Sequence, residues 1–500
     1  MDSAATRASL GNSAYLKTQL DNALLNPVRA YRRHYLPLLM VYFAYGALGI
    51  TAIAESFWIK QSLTLNPSEL AALGVWLTLP WTVKMVFGEM VDTLPILGSQ
   101  RHVYVYVGAG LIAAGMLLLA AAAAGRITGL TPEAAYKLAS IIVVIGVVMQ
   151  DVVADAMCAE VVARQHPDGT PRDREEINRD LGMVQVLGRL AVSLGAFIVA
   201  GLAGWLASVL SYATVFMLGL VIPVISVTGA MLIPATQLET RPTDWRILGG
   251  GIAFGAFALA MALADWRFNQ EIVFAVSMAV VIWMLLRVTE DVAPETKNIM
   301  LYAGIIIFIY RATPSVGEGF TWYSIDVLGF DERFKGTLAQ LGAGLALLVA
   351  WLFSAAITRQ PVARVLLWLT LLTTVLELPG LGLTMGLHEW TERHFGIGAR
   401  SIAVIDAAAT SPFYQLSLIP LGTLCAIYAP RDRIATWFAL TASLMNLSLV
   451  AGSLLSKYLN LIFVVERGSY AQLPALLASV LALGLVMPVA TILVFGRRLR

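Results

Sequence analysis

Charge is what this 500-residue chain has least of. Asp, Glu, Lys and Arg together make up 13% of it, about half the share of an ordinary soluble domain. That is too little to coat a soluble protein of this size. An apolar content of 58% and a mean hydropathy of +0.75 point instead to an integral membrane protein. Cysteine is scarce: Cys158 and Cys425 both lie in apolar runs, so they read as core thiols, not as a disulfide or metal pair. Five scattered histidines lack zinc-ligand spacing. No nucleotide-binding glycine loop or nucleophile elbow occurs. With no nucleophile–base or metal set to assemble, neither an enzyme nor a bound cofactor is expected. The net charge of +2 is too balanced to imply nucleic acid. Long alternating strands are missing, which argues against a transmembrane barrel. The first 35 residues lack the apolar core and cleavage site of a signal peptide.

What is present is a series of apolar segments. Windows of about 20 residues give roughly fourteen spans, each long enough to cross the hydrocarbon core as a helix. Their approximate limits are 36–60, 69–91, 103–125, 136–162, 182–206, 212–233, 247–265, 271–288, 299–325, 336–357, 363–386, 401–428, 434–458 and 472–496. The fold class is all-α and polytopic. Glycine and alanine recur at close spacing, as in Gly342-Ala343-Gly344, which favours close helix packing in lipid.

Basic residues set the orientation. With the N-terminus inside, roughly 20 fall in cytoplasmic segments and about 7 in external ones. The inside set includes Arg29, Arg32, Arg33, Arg164, Arg172, Arg174, Arg179, Arg359, Arg364, Arg431, Arg433, Arg497, Arg498 and Arg500. Both termini are therefore expected in the cytoplasm. A charged loop at 163–180 and a proline-bearing stretch at 234–246 divide the chain. The plan is a cytoplasmic segment 1–35, a six-helix bundle 36–233, a linker 234–298 with two extra helices, a second bundle 299–496 and a tail 497–500. Six plus two plus six fits two transporter halves with an inserted, peripheral hairpin.

An ionisable side chain near mid-bilayer costs about 2.5–3.5 kcal/mol on insertion scales, so each one needs a reason. Glu55, Lys84, Asp151, Asp155, Arg189, Arg311, Glu318, Glu377, Asp406 and Lys457 all fall inside expected spans. Acids and bases in both halves suggest a polar route between them. Counting from the expected ends puts Lys84, Asp155 and Arg189 roughly 12 Å deep. Asp151 and Asp155, four residues apart, share a helix face and need a base opposite; Lys84 and Arg189 are the available bases. Proton coupling is assigned to Asp155 with Arg189 as its partner, and Asp151 as the alternate carrier. In the ninth span, Pro314 removes a helical hydrogen bond between Arg311 and Glu318, and Gly317 and Gly319 loosen the next turn. Broken transmembrane helices often face a ligand. The aromatics Phe320, Trp322 and Tyr323 stack on a planar ligand or form an aromatic belt.

The stretch Lys84, Gly88, Asp92, Pro95, Gly98, Arg101 and Tyr104 resembles the helix 2–3 loop of the folate–biopterin transporter family, a branch of the major facilitator superfamily. Met85 departs from it, since the family usually has proline there. Gln150, Asp151, Asp155 and Glu160 are similar to the family's fourth helix. Arg311-Ala312-Thr313-Pro314-Ser315 with Val327, Gly329, Phe330, Phe334 and Gly336 resembles the opening of its second half. Leu424, Cys425, Pro430, Ala435, Thr436, Trp437 and Asn446 resemble its helix 10–11 region. The Gln150–Ala156 stretch and the fourteen-span count are also similar to bacterial muropeptide permeases.

The resemblance implies a major facilitator fold whose halves rock around a central cavity. It implies a secondary active symporter for folate- or pterin-type organic anions, multi-pass in a plasma (bacterial inner) membrane. Protons are the expected coupling ion, because no ATP site exists and buried carboxylates can titrate. A monomer surrounded by lipid is expected. Gly88, Asp92, Arg101 and Pro314 are the gating residues, with Asp92 holding the cytoplasmic gate. Two other readings stand beside this one: a muropeptide or other organic-anion permease, and a non-transporting membrane assembly factor of the same fold.

Overall fold

The computed structural model describes residues 31–499, apart from 97, 99, 100, 167, 234–241, 265, 291, 358–360 and 428–433. The segment up to residue 30, Pro234, Pro430, Arg359, Arg431, Arg433 and Arg500 thus lie outside the described residues. So do the side chains of Arg174, Arg179, Leu424, Cys425, Ala435 and Thr436.

Twenty α-helices and no strand beyond isolated bridges occur among the described residues. In the first half these are α1 Leu36–Ala47, α2 Ala52–Ser62, α3 Pro67–Thr82, α4 Lys84–Thr93, α5 His102–Ala123, α6 Pro132–Glu160, α7 Arg174–Val209, α8 Tyr212–Leu218 and α9 Val221–Met231. The hairpin is α10 Trp245–Leu263 and α11 Asn269–Val288. The second half holds α12 Pro294–Arg311, α13 Glu318–Asp326, α14 Glu332–Ile357, α15 Val362–Leu376, α16 Leu378–Thr384, α17 Leu387–Phe395, α18 Ala399–Ile427, α19 Ile434–Ile462 and α20 Leu473–Phe495. Ten spans among the described residues are long and apolar enough to cross a membrane. The expected number of fourteen is not reached by that measure; α14, α18 and α19 are long helices in the expected places, and α12–α13 is interrupted.

Local chemistry sets the helix starts. Asn66 and Glu69 form a capping box before α3, each side chain bonding the other's backbone N–H, and Pro67 occupies the first helical position. Thr131 and Ser211 cap α6 and α8 by accepting from Ala134 and Thr214 N–H. Glycine decides how closely helices approach. A methyl group at Gly46 would stand 2.0 Å from the Val192 carbonyl oxygen, so α1 and α7 touch backbone to backbone.

Two seams join the halves: α7 packs on α14, and α3 packs on α19. At the first seam Gly204 meets Gly336, where an added methyl would lie 2.6 Å from the facing Cα. The hairpin lies along the second seam. Its α10 packs on α4, and α11 packs on α19 and, more lightly, on α3. Outward faces carry bare apolar side chains, among them Trp245, Ile252, Leu259, Leu263 and Trp283, as lipid contact requires.

The end of the molecule holding residues 89–101, 160–173 and 244 is called basal here, and the opposite end apical. At the apical end Lys60 of α2 forms an ion pair with Asp326 of α13. Arg467 donates to the Lys60 and Ile59 carbonyls at 2.8 and 3.1 Å. Tyr212 donates to Glu332 at 3.0 Å, and Arg333 to Ser208 at 3.2 Å. All of these cross between halves. The basal ion pairs Arg101–Asp92, Arg101–Glu160 and Arg172–Asp180 stay within the first half. Among the described residues, the halves are thus tied by ion pairs at the apical end only.

Candidate functional site

The ninth span breaks where Pro314 predicts. Helix α12 ends at Arg311 and α13 begins at Glu318; Gly317 between them has φ +71°, a conformation glycine takes without strain. A broken helix in lipid must find partners for its freed backbone groups. Here α19 supplies them: Ser315 N–H donates to Ser456 Oγ at 2.8 Å, and Asn460 Nδ2 donates to the Val316 carbonyl at 3.4 Å. Gly452 lets α19 come close, since a methyl there would lie 2.9 Å from the Thr313 carbonyl oxygen. A second break, not singled out in the sequence, falls at Glu377 between α15 and α16. Its signal was Leu378-Pro379-Gly380, because Pro379 has no N–H for the preceding turn.

Both breaks line one cavity of about 600 Å³. Arg311, Glu377 and Asp406 supply its charge, and Tyr310, Phe320 and Phe413 its rings. Every described lining residue lies between 310 and 488, in the second half. Asp406 Oδ1 is buried and has no hydrogen-bond partner among the described residues. Arg311 lines the same space while its Nε donates to the Met445 carbonyl at 3.3 Å. Two carboxylates, a guanidinium and three aromatic rings therefore line one chamber.

The first half holds a different arrangement. Lys84 forms ion pairs with both Asp151 and Asp155. Tyr42 donates to Asp155 Oδ1 at 2.9 Å, and its hydroxyl lies 3.3 Å from the Cys158 sulfur. The expected partnership of Asp155 with Arg189 is corrected here. Arg189 is exposed on α7, and no ion pair joins it to Asp155. The helix interruption at Val83, three residues after Pro80, starts α4 at Lys84 and aims that flexible stem at α6. Beside Asp151 and Tyr42 the free space is only about 10 Å³, room for about one water.

A third polar group joins the halves nearer the apical end. Tyr136 donates to Glu55 Oε1 at 3.0 Å, and Ser56 donates to Glu318 Oε2 at 3.0 Å. Lys335 sits close enough to Glu318 for their charges to interact, and donates to Ser324 Oγ at 3.2 Å. Sequence reading missed Lys335 because the expected span began one residue later, at 336. Trp322, the expected stacking ring, is fully buried away from the cavity, with the Arg467 guanidinium 4.1 Å above it. Its neighbour Phe320 lines the chamber instead.

Of the residues expected to gate, Pro314 stands at the break, and Gly88, Asp92 and Arg101 lie towards the basal end of the first half. Arg101 is buried and donates to the Val91 carbonyl at 3.0 Å, to Asp92 at 3.1 Å and repeatedly to Glu160. Gly88 faces α6, where an added methyl would stand 3.9 Å from Val152. Arg101→Ala is expected to cost about 2 kcal/mol, since it strands Glu160 and frees a buried carbonyl. Asp92→Asn, which removes one half-exposed partner, should cost less than about 1 kcal/mol. Thermal melting of both variants in detergent checks the order; equal losses would remove Arg101 as the anchor of this loop.

Known proteins share this architecture. The BT1 family profile matches residues 46–499. A folate-biopterin transporter of Synechocystis sp. is 27% identical over 430 residues, which cover 85% of this chain and 75% of that protein. Among solved structures, a POT family transporter in complex with a thioalcohol-conjugated peptide superposes with a TM-score of 0.64 at 14% identity, covering 93% of this chain and 96% of that one. A peptide transporter POT in complex with sulfate gives 0.62 at 16% identity, covering 94% and 96%. At that identity the likeness establishes the fold, which is that of the major facilitator superfamily, and the sequence resemblance to folate–biopterin transporters is borne out. With the family profile matching well over half of its length, this chain belongs to the BT1 family.

Proposed function

We propose that this membrane transporter moves folate- or pterin-type molecules by alternating access, driven by protons. The observation that carries the reading is the second-half chamber, where Asp406, Glu377, Arg311 and three rings line about 600 Å³. A pterin is flat and offers paired N–H donors to a carboxylate; folates add carboxylates that suit arginine. The apical ties between halves support a state closed at that end. The bias of Lys and Arg makes the basal end cytoplasmic, with both termini there. Residues 36–233 and 299–496 are the rocking halves, and 234–298 the inserted hairpin. Asp92 holds the basal gate when that end closes. Proton carriage belongs to Asp151 and Asp155, which share Lys84.

Purified protein in liposomes should take up labelled biopterin or folate when a pH gradient is imposed. Uptake should fall by at least about tenfold when the gradient is collapsed, a 1.4 kcal/mol loss of driving force. Specific uptake that ignores the gradient would remove proton coupling, and no uptake of either compound would remove the substrate assignment.

A further inference from the structure

We propose that the second-half chamber holds its ligand in one fixed polarity, with the donor edge of a fused aminopyrimidinone ring on Asp406 and Glu377 and an anionic tail on Arg311. The assignment rests on the substrate reading above and goes beyond it by giving each pole of the cavity one part of the molecule. Several observations carry it. Asp406 Oδ1 is buried without a side-chain donor among the described residues, with the Gly380 backbone N–H beside its carboxylate, so the carboxylate keeps acceptor capacity for a ligand's donors. Glu377 and Asp406 line the same wall and come from α18 and the α15–α16 break. Gly380 lies against Asp406, where a methyl would stand only 3.7 Å from Oδ1. A ring N–H and an adjacent exocyclic NH₂ form the two-donor fork that a carboxylate accepts best. Arg311 is the cation among the described lining residues, and its planar guanidinium suits a carboxylate. Phe320, Tyr310 and Phe413 offer flat faces within the same chamber.

The space beside Asp151 and Tyr42 is about 10 Å³ against about 600 Å³ in the chamber, so it admits a water but no ring.

The test compares three probes by calorimetry on the purified, detergent-solubilised full chain: biopterin as head alone, p-aminobenzoylglutamate as tail alone, and folate as both. Asp406→Asn should weaken biopterin and folate by about tenfold or more and leave p-aminobenzoylglutamate within about twofold. Arg311→Gln should do the reverse, weakening folate and p-aminobenzoylglutamate while sparing biopterin, and Arg311→Lys should recover part of the loss. The ratio of two affinities on one preparation does not depend on how much of it is folded. If Asp406→Asn cannot be purified, Glu377→Gln carries the same expectation. Variants that weaken head and tail equally, while wild type binds all three, overturn the polarity and leave the substrate reading standing. Wild-type protein that binds none of the three overturns both.

Discussion

Asp155→Asn is expected to abolish accumulation against a gradient while downhill exchange persists. An amide cannot carry the proton, yet Lys84 keeps Asp151 as its counter-ion, so helix α4 stays anchored to α6. The concentration ratio at steady state should fall to about one, whatever pH gradient is imposed, since an uncoupled carrier only equilibrates its substrate. Lys84→Met should be harsher. It leaves two carboxylates one turn apart with no cation between them, and one of them must then stay protonated. Counterflow and uptake in the same vesicles separate the roles. An Asp155→Asn variant that still concentrates substrate would end the coupling assignment. A folded variant that fails even exchange would make the cluster a static clamp.

The second large effect is expected at the apical tie. Lys60 and Asp326 are the ion pair that joins α2 to α13, with side chains 13% and 31% exposed. Tyr470 donates to the same carboxylate. Burial, and then that bond, push its hydroxyl up to about 12, so it remains a donor at any working pH. Lys60→Asp should replace attraction by repulsion and shift the population towards apical opening by about 1–2 kcal/mol, a factor of about 5–30. Asp326→Lys should do the same, and the exchanged pair Lys60→Asp with Asp326→Lys should close the end again. Distances between spin labels on the apical ends of α2 and α13 report this directly. Single variants with wild-type distances, or a double variant no closer than the singles, would remove the pair as a gate.

Most of the fold was legible because lipid simplifies the code: one long apolar run is one helix, and a proline or glycine inside it is a break. That logic found the interruption at Pro314 and would have found the one at Glu377, had Pro379 been weighed as Pro314 was. Depth counting put Lys84 opposite Asp151 and Asp155, where the ion pairs lie. What it could not give was the rotation of each helix about its own axis. A depth count treats Arg189 and Lys84 as equals, yet Lys84 bridges both carboxylates while the exposed Arg189 reaches Asp151 only through its charge, because azimuth depends on packing across helices far apart in sequence. Trp322 failed for the same reason: two residues from Phe320, it lies on a different side of α13.

The hairpin has a mechanical consequence. Glu89 of α4 accepts from the Asp244 N–H at the basal end, while Lys457 of α19 pairs with Glu271 and bonds Gln270 at the apical end. A brace pinned at opposite corners of a frame does little against bending about the pinned line but stiffens the frame against shear. Helices α10 and α11 are fastened in that diagonal manner across the α3–α19 seam. Such a brace should leave one easy motion, a tilt of the two halves about the seam, and should resist sliding of one half along the other. Lengthening the turn between α10 and α11 should loosen that tilt before it loosens the fold.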